Sequence, residues 1–60
     1  MKANTKVKIT LGFYRGSTGK VVAKSKLKPA LLQGMLAVEI DIADGIKNIV
    51  RVPEAIVEKI

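Results

Sequence analysis

Gly12-Phe13-Tyr14-Arg15-Gly16-Ser17-Thr18-Gly19-Lys20-Val21 is the stretch whose reading decides the fold. Glycine takes positive φ and lets backbones approach without a Cβ, so three glycines at spacings of four and three make a structured turn. Ahead of it, Lys6-Val7-Lys8-Ile9-Thr10 alternates polar with apolar, and behind it Lys20 to Lys28 alternates again. The turn therefore joins two strands of one sheet.

Working outward, Val7 and Ile9 share one face of strand one, and Lys6, Lys8 and Thr10 the other. In strand two, Val21, Ala23, Ser25 and Leu27 face the core. Lys20, Val22, Lys24, Lys26 and Lys28 form an outer ridge with a repeat of about 6.6 Å. Such a ridge can track a phosphate backbone or protect a strand edge from aggregation. Lys28-Pro29-Ala30-Leu31-Leu32-Gln33-Gly34 reads as a loop, because proline removes a ladder donor. Its apolar Ala30-Leu31-Leu32 core is either a helical turn folded over an open end or a contact for a partner.

Met35 to Ile42 is the longest alternating run, with Leu36, Val38, Ile40 and Ile42 inward and Met35, Ala37, Glu39 and Asp41 outward. Asp44-Gly45 signals a tight turn, and Ile46 to Val52 returns antiparallel with Val50 and Val52 inward. Lys47 and Arg51 then stand where they can pair with Glu39 and Asp41 across the strands. Pro53-Glu54-Ala55 interrupts the sheet as a 3-10 turn, and Ile56 to Ile60 closes it as a fifth strand.

The pattern G-x-Y-R-G-x-x-G-x-V, as it stands from Gly12 to Val21, resembles the KOW motif of NusG-type elongation factors and several ribosomal proteins. The resemblance covers Lys6 to about Glu39. It implies an all-β fold, a small five-stranded SH3-like barrel with one 3-10 turn before the last strand, in which this motif builds the first hairpin. It also implies contacts to nucleic acid from the loops, which fall here on Tyr14, Arg15 and Lys20. The final stretch from Arg51 to Ile60 resembles the last strands of another SH3-like family, type II dihydrofolate reductase. That enzyme needs a Val-Gln-Ile-Tyr strand, and Asn48-Ile49-Val50-Arg51 stands in its place without the glutamine or the tyrosine.

Composition narrows the function further. Sixty residues make one domain, 1 to 60, with a frayed start over 1 to 5. With neither cysteine nor histidine, disulfides, thiol or imidazole catalysis and nearly every zinc site are excluded. Five acids without calcium-loop spacing give no metal site. Gly16-Ser17-Thr18-Gly19-Lys20 fails the phosphate-loop spacing, since Tyr14 lacks the required glycine and Val21 the required hydroxyl. Glu39 and Asp41 are neighbours on an exposed strand rather than carboxyls across a cleft. No enzyme activity and no cofactor are expected. No run suits a membrane span or a secretory leader, so the expected location is cytoplasmic, away from membranes.

Charge is the most informative bulk property. Residues 1 to 30 carry eight cations and no acid, whereas residues 31 to 60 carry three cations against five acids, for a net charge of +6. A one-sided positive field is what a polyanion partner selects, although it also keeps a small protein soluble. The expected function is a non-catalytic nucleic-acid-binding domain, for RNA or DNA, with low sequence specificity. Lys6, Lys8, Lys20, Lys24, Lys26 and Lys28 would supply the field, Arg15 a forked phosphate contact and Tyr14 a stacking ring. The alternative is a protein-interaction or assembly module, homo-oligomeric or an accessory subunit, that uses Ala30, Leu31 and Leu32, with Met35 and Ile49, for a partner or for self-association.

Overall fold

A computed structural model describes residues 2–60. Met1, the first residue of the stretch expected to fray, lies outside the described residues. Five strands are present: β1 (Lys6–Ile9), β2 (Thr18–Val21), β3 (Met35–Ala43), β4 (Ile46–Pro53) and β5 (Val57–Lys59). All neighbours are antiparallel, in the order β4-β3-β2-β1-β5. Two 3-10 turns, Lys24–Lys26 and Glu54–Ile56, complete the secondary structure, so the described residues are all-β. The sheet is open, with β4 and β5 as its two edges.

Alternation explains the core. Val7 and Ile9 from β1, Val21 from β2, Leu36, Val38 and Ile40 from β3, Val50 and Val52 from β4 and Val57 from β5 form one buried cluster. Tyr14 and Ile56 pack against its rim. This side of the sheet consists almost entirely of β-branched side chains, which suit a pleated surface.

The β1–β2 turn works as the glycine pattern predicts. The Ile9 N–H donates to the Ser17 carbonyl at 2.9 Å and the Gly16 N–H returns to the Ile9 carbonyl at 2.7 Å. Gly12 and Gly16 adopt φ of +87° and +89°, which side-chain-bearing residues resist. Gly19 serves differently. A Cβ there would overlap the Glu39 carbonyl oxygen of β3, so glycine is what lets β2 and β3 pair.

Several expectations are corrected. Strand two ends at Val21 rather than Lys28, and Lys24–Lys26 is a 3-10 turn, so the continuous lysine ridge does not exist. Ala23, Lys24, Ser25 and Lys26 are weak strand formers, and alternation alone does not hold them extended. No helical turn forms over Ala30-Leu31-Leu32. Ile42 is exposed rather than inward, because the β2–β3 pairing ends at Gly19–Ile40 and β3 is irregular between Asp41 and Ala43. Ala37 is fully buried although it stands outside the main core cluster; its carbonyl accepts from the Val22 N–H and it lies opposite Arg51.

Candidate nucleic-acid interface

On the outer face of the sheet, cross-strand register places the lysines of β1 and β2 among acids. Lys6 lies opposite Lys20, and Lys20 lies opposite Glu39. Lys8 has Thr18 on one side and Glu58 on the other. Lys6, Thr18, Lys20, Glu39, Asp41 and Lys47 line an open hollow of about 280 Å³. Among the described residues the one ion pair is Lys47 Nζ to Glu39 Oε1 at 3.9 Å, between side chains 60% and 40% exposed. With Glu39, Asp41 and Glu58 set among Lys6, Lys8, Lys20 and Lys47, neighbouring acids offset most of the charge of this face. Lys6, Lys8 and Lys20 are therefore poorly placed to dominate attraction for a polyanion.

The connection from β2 to β3 has a different character. The Lys26 N–H donates to the Ala23 carbonyl at 3.0 Å and the Leu27 N–H to the Lys24 carbonyl at 3.2 Å, which winds Lys24–Lys26 into one turn. Half-buried Leu27 follows it, and Lys24, Lys26 and Lys28 are all exposed. The N-terminal segment runs beside this connection. Asn4 N–H donates to the Val21 carbonyl at 2.7 Å and Val21 N–H to the Thr5 carbonyl at 3.0 Å, which brings exposed Lys2 to the same end of the sheet. Of these four lysines, Lys26 alone shares a hollow with an acid, Glu39. The exposed acid Glu54 also stands at this end: it follows Pro53, which lies opposite Met35, and its N–H donates to the Gly34 carbonyl at 2.8 Å.

Arg51 holds the rest of that connection in place. Its guanidinium donates to the Pro29 carbonyl at 2.6 Å and to the Ala30 carbonyl at 3.3 Å. It does not pair with Glu39 or Asp41 as the register pattern suggested, since it lies opposite Ala37. Pro29, Ala30, Leu31, Leu32, Met35 and Arg51 surround a mainly apolar hollow of about 300 Å³, and Leu32 is 77% exposed.

In the β1–β2 turn, Tyr14 is half-buried against the core, whereas Phe13 is 94% exposed. The rings meet edge to face at 5.0 Å and 79°. The freely accessible aromatic surface thus belongs to Phe13, not to Tyr14. Arg15 is exposed and borders Lys8, Gly16 and Glu58. The structure consequently separates the eight residues expected to act together. Lys24, Lys26 and Lys28 sit at one end, Tyr14 and Arg15 at the other, with Lys6, Lys8 and Lys20 on the face between. Lys2 was missed because its approach to the connection depends on a pairing with Val21 that is distant in sequence. The available signal was the lack of any acid before Glu39.

Among the described residues there is no cluster of three or more metal-ligating side chains, and no helix is long and apolar enough to cross a membrane. Comparison with protein-family models, with curated proteins and with solved structures finds no match to this chain.

Proposed function

We propose that the chain is a small, non-catalytic nucleic-acid-binding domain that grips the phosphate backbone of RNA or DNA through Lys2, Lys24, Lys26 and Lys28. The observation that carries this reading is the grouping of four exposed lysines at one end of the sheet, whereas Lys8, Lys20 and Lys47 on its face have Glu58, Glu39 and Asp41 across the strands. Phosphate contacts of this kind position a strand without reading its bases, so low sequence specificity follows. The architecture we assign is the SH3-like barrel of the KOW resemblance. The strand order β4-β3-β2-β1-β5, the 3-10 turn immediately before β5 and the glycine-dependent approach of β2 to β3 support it. A cytoplasmic location, where nucleic acid is at hand, fits the reading.

The test is fluorescence anisotropy with labelled single- and double-stranded oligonucleotides. Reversing Lys24, Lys26 and Lys28 to Glu together should abolish binding, while reversing Lys6 and Lys8 should weaken it far less. Equal losses in the two variants would contradict the assignment of the site to the β2–β3 connection.

A second reading, a protein-interaction module, draws on the apolar hollow around Leu31, Leu32 and Met35. Leu31→Ser with Leu32→Ser would abolish partner capture on that reading and leave oligonucleotide binding unchanged on the first.

A further inference from the structure

The end of the sheet opposite the lysines is apolar. In an antiparallel sheet, the β1–β2 turn and the β3–β4 hairpin emerge from the same end, because the start of β2 lies beside the end of β3. That end carries Leu11 at 58%, Phe13 at 94%, Ile42 at 56% and Ile46 at 55% exposure, four of the seven large hydrophobic residues left exposed among the described residues. A sixty-residue chain with a thin core gains much from covering such a surface.

The charges bordering this end identify what covers it. On one flank Lys8 and Arg15 share a hollow with the single acid Glu58, and on the other Asp41 and Asp44 share one with the single cation Lys47. The β1–β2 flank is thus left one positive charge in excess and the β3–β4 flank one negative charge in excess. Arg15 is in the β1–β2 turn beside Leu11 and Phe13 in sequence, and Asp44 is in the β3–β4 turn between Ile42 and Ile46 in sequence, both exposed. A surface with a cation on one flank and an anion on the other is complementary to itself under a two-fold rotation. We infer that this end is a homodimer interface, in which a second copy of the chain sets its Asp44 against Arg15 and its Arg15 against Asp44 around a centre built on Phe13, Ile42 and Ile46. The pairing goes beyond nucleic-acid binding and does not depend on it. It leaves the two lysine ends outermost.

Sedimentation velocity at low salt tests it. The unaltered chain should sediment at twice the mass of one chain. Arg15→Glu and Asp44→Arg should each weaken the dimer at least about tenfold, since each variant turns both attractive contacts into repulsive ones. Mixed one to one, however, these two variants restore both contacts, because Glu at 15 meets Arg at 44 and Asp44 meets Arg15. The mixture should therefore sediment as a dimer when neither variant does alone. Phe13→Ser should weaken association in every combination, and Leu31→Ser with Leu32→Ser should leave it intact. Circular dichroism checks that every variant is folded. A monomeric unaltered chain, a dimer indifferent to either charge reversal, or a mixture of folded variants that stays monomeric would each overturn the inference.

Discussion

Replacing Gly19 with alanine tests the fold at the contact where it has least room. The added Cβ would meet the Glu39 carbonyl oxygen, with the carbonyl carbon 2.9 Å away and Ile40 Cγ2 at 3.1 Å. The obstacle is backbone, so no side chain can swing aside, and β2 must move off β3. Overpacking of this kind costs about 1–3 kcal/mol, and each ladder bond lost with it adds about 0.5–1.5 kcal/mol. The β2–β3 ladder has only three residue pairs, Gly19–Ile40, Lys20–Glu39 and Val21–Val38, so the disturbance spreads over most of it. A loss of about 3 kcal/mol compares with a total stability of about 3–9 kcal/mol for sixty residues. Thermal unfolding followed by circular dichroism should show Tm lowered by about 12–24 °C, or no folded baseline at all. Gly16→Ala is the control. Gly16 has φ of +89° but nothing within 4 Å of an added Cβ, so it incurs only the left-handed backbone penalty of about 1–2 kcal/mol. If Gly19→Ala proved no more destabilising than Gly16→Ala, the close approach of β2 and β3 would be refuted.

Other perturbations follow from the same geometry. Arg51→Ala removes both bonds to the Pro29 and Ala30 carbonyls. Urea denaturation should show a loss of about 1 kcal/mol, and hydrogen exchange should quicken over residues 29–34. Glu39→Gln breaks an exposed pair at 3.9 Å and should change stability by less than about 0.5 kcal/mol in the same assay. Ile9→Ala, at a fully buried site, should cost about 2–5 kcal/mol and bring the domain close to unfolding at room temperature.

Much of the fold was legible because the strong strands advertise themselves. Leu36, Val38 and Ile40 in β3, and Val50 and Val52 in β4, alternate with polar or small residues and are buried as expected. The turn at Gly45 falls where residue chemistry put it. The 3-10 turn before β5 comes one residue later than expected, over Glu54–Ile56, because Pro53 still pairs with Met35 as the last residue of β4, so that β5 spans only Val57–Lys59. Less legible was the stretch after Val21, where lysines alternating with small residues fit an extended strand and an irregular connection equally well. Only the missing β-branched residues beyond Val22 distinguish the two. Ile42 follows the inward pattern but has outrun its neighbour β2, which no local pattern reveals. The same limit applied to the rings of Phe13 and Tyr14. Adjacent side chains in a glycine turn point different ways, and it is Tyr14 that packs against the core while Phe13 is exposed.

The candidate site was legible in charge but not in arrangement. The excess of cations over the first half of the chain was plain, whereas its division between a balanced face and an unbalanced end depends on which strands lie side by side. Glu39 and Glu58, remote in sequence from Lys20 and Lys8, become their cross-strand neighbours only in the folded sheet. Lys24, Lys26 and Lys28 have no strand neighbour, because the connection that carries them leaves the sheet.

The most direct test of phosphate binding by that end is the salt dependence of affinity for a single-stranded oligonucleotide. Contacts from Lys2, Lys24, Lys26 and Lys28 predict that log affinity falls with log salt at a slope of about −3, and that replacing Lys24 with alanine makes the slope shallower by about 0.7. A slope near zero, or one that is unchanged when all four lysines are replaced, would contradict the account.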